Sequence, residues 1–303
     1  MSTLRSAHDA LLVDLDGTVY RGPVAIPGAV EALTGGDQRV LYVTNNASRA
    51  PADVATHLRE LGLASVEADV VTSAQSAAKL MAEQVPEGSP VLIVGTEALA
   101  GEVRQRGLLP VRAASANPTG VVQGHSSDTD WAILAEATLA IRAGALWVAA
   151  NLDPTLPSDR GILPGNGSIV AAVRMATGAE PQVAGKPAPP LMRDAVERAA
   201  AQRPLVVGDR LDTDIAGGCA ADLPTLLVLT GVSTPWDVLR AAVGQRPDYI
   251  GADLGVLSRP ASDSAVAPVA GWSVEMDGEN LSLSCSGTDP RPADALRAAC
   301  TTA

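Results

Sequence analysis

Residues 10–18 read Ala-Leu-Leu-Val-Asp-Leu-Asp-Gly-Thr, an apolar run that ends on two acidic residues and a glycine. The run predicts a short buried strand, and catalytic or ligand-binding groups gather at the carboxyl ends of strands in open parallel sheets. Two carboxylates as close as those of Asp14 and Asp16 need a cation or a shared proton between them. Their oxygen atoms suit Mg²⁺. Taken alone, the same residues fit a strand-end turn built from Asp and Gly equally well.

The rest of the chain alternates short apolar runs with alanine- and leucine-rich stretches. Strands and helices in strict turn predict an α/β fold with parallel sheets that helices cover on both faces. From residue 258 the pattern changes to a linker, a hairpin around residues 277–278 and a short helix from residue 292. Because a lone hairpin is marginally stable, we expect this appendage to dock, either against the rest of the chain or against a second subunit; the alternative is a partly disordered tail. Predicted strands cover residues 10–13, 39–44, 90–94, 120–123, 146–150, 205–208 and 225–229, and predicted helices cover residues 52–61, 74–84, 131–143, 169–177 and 190–201.

Two further segments carry groups suited to an anion. Thr44, Asn45 and Asn46 follow the second predicted strand, where a hydroxyl and successive backbone amides match the needs of a phosphoryl oxygen. Lys186, in Gly-Lys-Pro, is one of only two lysines in a chain that otherwise uses arginine, which indicates a site that needs a compact point charge. The ordinary alternatives are an asparagine turn before an N-cap serine, and a lysine at the start of a helix.

Residues 206–218 place acidic side chains after another predicted strand. They read Val-Val-Gly-Asp-Arg-Leu-Asp-Thr-Asp-Ile-Ala-Gly-Gly, with Asp209, Asp212 and Asp214 close in sequence. Carboxylates this dense predict an oxygen cage for Mg²⁺. A first helical turn decorated with acids accounts for Asp212 or Asp214, but it does not account for Asp209.

Composition limits the classes of function. The chain has 303 residues, 47% of them hydrophobic, which fits one large or two modest globular domains. A net charge of −12 disfavours binding to nucleic acid. No run reaches the ~18 apolar residues of a membrane span, and the first residues do not resemble a signal peptide, so we expect a cytoplasmic protein that binds no membrane. The three cysteines are widely spaced and predict neither a metal site nor a disulfide framework.

Taken together, the motifs resemble those of the haloacid dehalogenase superfamily of phosphatases, and in particular its nitrophenylphosphatase-like branch. The matching segments are Asp-x-Asp-Gly-Thr, Thr-Asn-Asn-x-Ser, Gly-Lys-Pro and Gly-Asp-Arg-x-x-Thr-Asp, and residues 151–155, 165–168 and 230–232 also look like the branch. The resemblance implies a three-layer Rossmann-like core at residues 1–75 and 184–257 and an inserted α/β cap at residues 76–183. The appendage at residues 258–303 lies beyond it.

The resemblance also implies roles for the matched residues. Asp14 is expected to be the nucleophile that forms an aspartyl-phosphate, and Asp16 the general acid for the leaving alkoxide and then the base for water. Lys186 is expected to neutralise charge on the phosphoryl group. The phosphoryl group or substrate is expected to be bound by Gly17, Thr44, Asn45, Asn46 and His125. Mg²⁺ is expected to be held by Asp14, the backbone carbonyl of Asp16, Asp209 and Asp214.

One loop of the predicted cap departs from the branch. Residues 124–131 read Gly-His-Ser-Ser-Asp-Thr-Asp-Trp, where members of the branch usually have Gly-aromatic-Asp-Pro before a further aromatic residue. A loop of small polar residues favours a small hydroxylated substrate, glycerol 3-phosphate first and phosphoglycolate second. His125 either contacts this substrate or is an exposed loop histidine, and Trp131 is expected to begin a helix and to pack.

The predicted function is therefore that of a Mg²⁺-dependent phosphoric monoester hydrolase acting on a small phosphorylated metabolite. Two alternatives stay open at this point: a phosphotransferase or mutase on the same scaffold, and a non-catalytic protein that binds a phosphorylated metabolite. The oligomeric state is also open, with a homodimer among the alternatives.

Overall fold

The computed structural model describes residues 2–158, 160–278, 280–286 and 291–301. By its internal contacts the chain divides into two compact units. The first unit contains the residues up to Val43, the segment Leu58–Ser65 and the residues from Ala195 onward. The second unit contains Thr44–His57 and Val66–Asp194.

The helices and strands follow the predicted alternation. The strands are β1 (Ala10–Val13), β2 (Tyr20–Arg21), β3 (Val24–Ala25), β4 (Arg39–Thr44), β5 (Val70–Thr72), β6 (Pro90–Val94), β7 (Leu109–Val111), β8 (Gly120–Gln123), β9 (Leu146–Ala149), β10 (Thr155–Ser158), β11 (Gly161–Pro164), β12 (Gln182–Val183), β13 (Pro204–Gly208), β14 (Thr225–Val228), β15 (Tyr249–Gly251), β16 (Trp272–Asp277) and β17 (Asn280–Cys285). The α-helices are α1 (Ala29–Thr34), α2 (Pro51–Glu60), α3 (Ser73–Ala82), α4 (Glu97–Gln105), α5 (Trp131–Arg142), α6 (Asn166–Thr177), α7 (Pro189–Ala199), α8 (Ala216–Ala220), α9 (Pro235–Leu239) and α10 (Pro292–Ala299). Among the helices described here, none is both long enough and apolar enough to cross a bilayer.

In the first unit the sheet runs in the order β15-β14-β13-β1-β4, with every neighbouring pair parallel. All residues of β1, β13 and β14 are buried, as expected for a parallel sheet that is covered on both faces. Because β1 and β13 are neighbours in register, with Val13 beside Val207, their carboxyl ends deliver the next residues to one edge of the sheet. This confirms the predicted α/β class.

The second unit has its own parallel sheet, in the order β12-β9-β8-β6-β7. Successive residues of β6 belong to different hydrophobic clusters: Val91 and Ile93 pack in one, and Leu92 and Val94 pack in the other. The first cluster includes residues of α3 and α4, and the second includes residues of α5 and α6. Helices therefore bury both faces of this sheet too.

The appendage forms the predicted hairpin and helix within the first unit. Strands β16 and β17 pair antiparallel, and the side chains of Met276 and Leu283 remain exposed on the hairpin. Leu296 of α10 packs with Leu227 and Ile250 of the sheet. The Arg297 guanidinium, 5% exposed, donates to the carbonyl oxygens of Ser262 at 2.5 Å and Ala265 at 3.2 Å. These contacts confirm docking against the rest of the first unit, and the helix supplies the docking surface.

Candidate active site

Three carboxylates of the first unit converge at the ends of β1 and β13. Asp14 follows β1 and Asp209 follows β13. Together with Asp214 they each offer one carboxylate oxygen, and these three oxygens lie within 4.8 Å of one another. Asp209 and Asp214 are buried, and Asp14 is partly buried. Carboxylates packed this closely away from water repel one another unless a cation lies among them. The donor set is all oxygen and anionic, so these residues fit Mg²⁺.

The Asp209 carboxylate is held in place by its neighbours. Its Oδ2 accepts the Val232 N–H at 2.7 Å, and its Oδ1 accepts the Thr18 hydroxyl at 3.3 Å. Two glycines border it: an ideal Cβ would lie 1.9 Å from Oδ2 at Gly231 and 2.6 Å from Oδ2 at Gly17. Gly17, predicted to bind the phosphoryl group, is thus placed beside the carboxylate cluster, where only glycine leaves room.

The acidic segment after β13 begins in a single π-helical turn, Leu211–Ile215. The Arg210 carbonyl oxygen accepts the N–H of both Asp214, at 3.0 Å, and Ile215, at 3.1 Å. In return, Asp214 Oδ2 accepts the Arg210 N–H at 3.1 Å. Asp212, two residues before Asp214, instead lies at the surface and forms an ion pair with the Arg210 guanidinium. Hydrogen bonds from this guanidinium lower the pKa of the Asp212 carboxyl. Only two of the three predicted acids therefore join the cluster.

Asp16 lies in the tight turn that follows Asp14. Its neighbour Gly17 donates its N–H to the Tyr20 carbonyl oxygen at 2.9 Å, and the Gly17 carbonyl oxygen accepts the Thr230 hydroxyl at 2.7 Å. The Asp16 side chain is exposed and, within the described residues, is outside the carboxylate cluster. An exposed carboxyl group beside the cluster suits proton transfer to a bound molecule, while a metal contact through the Asp16 backbone carbonyl stays a prediction.

In the second unit the structure brings Asn45 and Lys186 together. Asn45 Oδ1 accepts the Lys186 N–H at 2.8 Å, and Asn45 Nδ2 donates to the Lys186 carbonyl oxygen at 3.0 Å. The Thr44 hydroxyl accepts the Asn46 N–H at 3.1 Å, and Asn46 Oδ1 accepts the Ser48 N–H at 2.8 Å. The predicted anion-binding segments thus meet within this unit, but the carboxamide of Asn45 is engaged by the Lys186 backbone.

His125 is tied to the same segment. The Ser48 hydroxyl donates to the His125 carbonyl oxygen at 2.8 Å and lies 3.4 Å from His125 Nδ1. Trp131 begins α5 as expected, but it is 82% exposed, so the expectation that it packs is wrong. The N-cap of this helix is Asp130, whose side chain accepts the Ile133 N–H. A cavity of about 340 Å³ opens beside this loop, lined by Gly95, Thr96, Glu97, Arg112, Ser126, Asp128, Thr129 and Ile133.

Comparison with known proteins agrees with this geometry. A haloacid dehalogenase-like hydrolase model matches residues 11–109, and a HAD-hydrolase-like model matches residues 183–257. The D-glycerol 3-phosphate phosphatase of Mycobacterium tuberculosis is 56% identical over 287 residues, which cover 95% of this chain and 81% of that protein.

Solved structures of phosphatases share the fold. A glycerol phosphate phosphatase from Mycobacterium tuberculosis, crystallised in complex with magnesium, matches with a TM-score of 0.96 and 55% identity, covering 99% of this chain and 91% of that one. A 4-nitrophenylphosphatase from Thermotoga maritima matches with a TM-score of 0.78 and 31% identity, covering 85% of this chain and 98% of that one. These similarities confirm the predicted resemblance: the chain belongs to the haloacid dehalogenase-like hydrolases.

Proposed function

We propose that this protein is a Mg²⁺-dependent phosphoric monoester hydrolase whose substrate is a small phosphorylated metabolite, glycerol 3-phosphate first and phosphoglycolate second. The observation that carries the proposal is the cluster of Asp14, Asp209 and Asp214 at the carboxyl ends of β1 and β13. The choice of substrate is supported by the 56% identity to a D-glycerol 3-phosphate phosphatase.

In the proposed reaction the residues of the first unit carry out two displacements at phosphorus. A carboxylate oxygen of Asp14 forms a bond to phosphorus while the bond to the substrate's alkoxide oxygen breaks, and Asp16 donates its proton to that oxygen. Asp16, now ionised, removes a proton from a water molecule whose oxygen attacks phosphorus, releasing inorganic phosphate and restoring Asp14. The covalent step replaces one difficult displacement with two easier ones.

The phosphoryl group is proposed to be bound and neutralised by the residues predicted above to bind an anion. The Thr44 hydroxyl and the backbone N–H groups of Asn45 and Asn46 would donate to its oxygens, and the Lys186 ammonium would offset its negative charge. Mg²⁺ would be held by Asp14, Asp209 and the Asp16 carbonyl oxygen, with Asp214 beside them. When bound, it would supply positive charge that offsets the charge spread over the phosphoryl oxygens.

The remaining organisation is also proposed. Residues 76–183 would act as the inserted cap of a core made by residues 1–75 and 184–257, in support of which all five strands of the second sheet lie within residues 90–183. Substrate choice would be set by the loop that holds His125, which lies beside a cavity lined by hydroxyl and charged groups. The net charge of −12 supports a protein that does not bind nucleic acid, and we propose a cytoplasmic protein that forms either monomers or homodimers.

A substrate screen tests the proposal. Purified protein is incubated with Mg²⁺ and a panel of phosphorylated metabolites, and released inorganic phosphate is measured, with the Asp14→Asn variant as the control for contaminating phosphatases. We expect release from glycerol 3-phosphate to exceed release from phosphoglycolate and from sugar phosphates, and to stop in excess chelator. Absence of release from every compound by the wild-type protein would instead support a phosphometabolite-binding protein, and transfer to an alcohol without release would support a phosphotransferase.

A further inference from the structure

The side-chain carboxamide of Asn45 hydrogen-bonds both backbone polar groups of Lys186. It accepts the Lys186 N–H at 2.8 Å and donates to the Lys186 carbonyl oxygen at 3.0 Å, so both peptide groups of this lysine are tied to one side chain. Fixing these two groups restrains both backbone dihedral angles of Lys186 and hence the direction of its Cα–Cβ bond. Lys186 is only 2% exposed, so the residue is buried.

The approach of Asn45 to this backbone is close enough to require a glycine before the lysine. An ideal Cβ at Gly185 would lie 2.6 Å from Asn45 Oδ1 and 2.5 Å from the Ala150 carbonyl oxygen. Gly185 therefore leaves room for the carboxamide. The glycine of the Gly-Lys-Pro motif thus provides the space that the Asn45 side chain occupies.

Asp153 selects the orientation of the Asn45 carboxamide. The side-chain nitrogen of Asn45, Nδ2, donates to both carboxylate oxygens of Asp153, at 3.2 and 3.4 Å. An ionised carboxylate only accepts hydrogen bonds, so it holds the nitrogen on its own side and leaves Oδ1 facing the Lys186 N–H. A flipped carboxamide would set its oxygen against the Asp153 carboxylate and the Lys186 carbonyl oxygen, and its NH₂ group against the Lys186 N–H.

The segment around Asp153 also grips the backbone of Asn45. The Asn45 carbonyl oxygen accepts the side chains of Asn151, at 2.7 Å, and Ser73, at 2.6 Å. Asn151 in turn accepts the Asp153 N–H at 3.2 Å. Residues 151–153 therefore hold Asn45 by its backbone and by its side chain, although they lie more than a hundred residues away in sequence.

We propose that Asp153 is a positioning residue for Lys186, acting through the Asn45 carboxamide. Its effect on the conformation of Lys186 stands on the contacts within the second unit, and only its effect on catalysis rests on the proposed function. Loss of the Asp153 carboxylate would release the carboxamide, let the Lys186 backbone relax and misplace the ammonium group. A misplacement of about 1 Å in a reacting assembly lowers turnover by about 10²-fold.

The conformational part is tested without any substrate. Because the chain has only two lysines, ¹⁵N-lysine labelling yields two backbone amide resonances, from Lys79 and Lys186. We expect Asp153→Ala to shift the Lys186 resonance and to speed its hydrogen exchange about tenfold or more, since a hydrogen bond that holds it is weakened, while Lys79 is unchanged. Asp153→Asn, which keeps one acceptor oxygen, should give a smaller change and covers the case in which the alanine variant does not fold.

The matched control is Asp194→Asn in the same unit. Asp194 accepts the Lys79 ammonium at 2.7 Å and the Ser76 hydroxyl at 2.5 Å, so its replacement should perturb the environment of Lys79 and leave the Lys186 resonance in place. A Lys186 resonance and exchange rate that stay as in the wild type in both Asp153 variants would overturn the proposal, whatever the enzyme's activity.

The catalytic part is tested by a double-mutant cycle with Lys186→Met. We expect Asp153→Ala to lower kcat/KM about 10²-fold in the wild-type background, but to change it by no more than about twofold when Lys186 is already replaced. Equal losses in the two backgrounds would show that Asp153 does not act through Lys186. If the wild type released no phosphate at all, the proposed function would fail, and the resonance experiment would still decide the positioning role.

Discussion

Gly231 leaves no room for a side chain beside the Asp209 carboxylate. An ideal Cβ at Gly231 would lie 1.9 Å from Asp209 Oδ2 and 2.3 Å from its Cγ, whereas ordinary contacts begin at 3.4 Å. The φ angle of Gly231 is not positive, so alanine fits the backbone and the clash is the whole perturbation. Replacing Gly231 by Ala must therefore move the carboxylate or its loop by about 1.5 Å. The displaced oxygen is the one that accepts the Val232 N–H.

We expect Gly231→Ala to raise the half-saturating Mg²⁺ concentration about 10–100-fold, the range found when groups that orient metal ligands are removed. Phosphate release at increasing Mg²⁺ and calorimetric titration of the substrate-free protein measure this change independently. Activity should recover in part at high Mg²⁺, because the carboxylate is shifted and not deleted.

Gly22→Ala is the matched control in the same unit. Gly22 has a φ of +58° and nothing within 4 Å of an added Cβ, so the change should lower the free energy of unfolding by about 1–2 kcal/mol without altering the Mg²⁺ requirement. If Gly231→Ala bound Mg²⁺ as tightly as the wild type, the assignment of Asp209 as a metal ligand would be refuted.

Three further outcomes follow from the structure. Asp14→Asn should abolish phosphate release while the melting temperature is retained, because an amide is not nucleophilic; residual turnover above the contaminant level would contradict the covalent mechanism. Leu296→Ala should lower the free energy of unfolding by about 2–5 kcal/mol in denaturant titrations, whereas Leu283→Ala on the exposed hairpin face should change it little, and equal effects would argue against docking through α10. Burial lowers the pKa of His8 below its ordinary 6.5, so the native state binds fewer protons than the unfolded state, and the free energy of unfolding should fall as the pH drops below about 6.5. His8→Gln should flatten this pH dependence in urea unfolding at pH 5–8, and an unchanged slope would exclude His8 as its source.

The central strands could be predicted because each is a continuous apolar run between polar turns. All seven predicted strands occur, and their ends differ by at most one residue. Elements that depend on tertiary context were not predicted. The helix Glu97–Gln105 has a glycine in its middle, and the burial of Leu99 and Val103 supports it. The edge strand Leu109–Val111 contains a proline, which weakens any strand pattern.

The candidate metal site was only partly predictable, for a geometric reason. Asp14 and Asp209 could be placed together because the carboxyl ends of parallel strands meet at one edge of a sheet. Whether Asp212 or Asp214 joins them depends on the winding of the next turn, which the local spacing of acids does not specify. Only the resemblance of Gly-Asp-Arg-x-x-Thr-Asp to the family indicated Asp214. The sequence marks Asp153 only as part of a family-like segment, because its contact with Asn45 spans 108 residues and is created by the fold.

The π-helical turn at Leu211–Ile215 makes the carboxylate cluster sensitive to chain length as well as to residue type. A turn of this kind holds one residue more than an α-helical turn, and each residue of an α-helix rotates the next by about 100° around the axis. Deleting a single residue within the turn would keep every acid of the cluster in the sequence but would turn Asp214 away from Asp14 and Asp209. Insertions and deletions in related chains should therefore be tolerated in the C-terminal hairpin and be rare between Arg210 and Ala216, a difference in evolutionary tolerance that substitution experiments alone would not reveal.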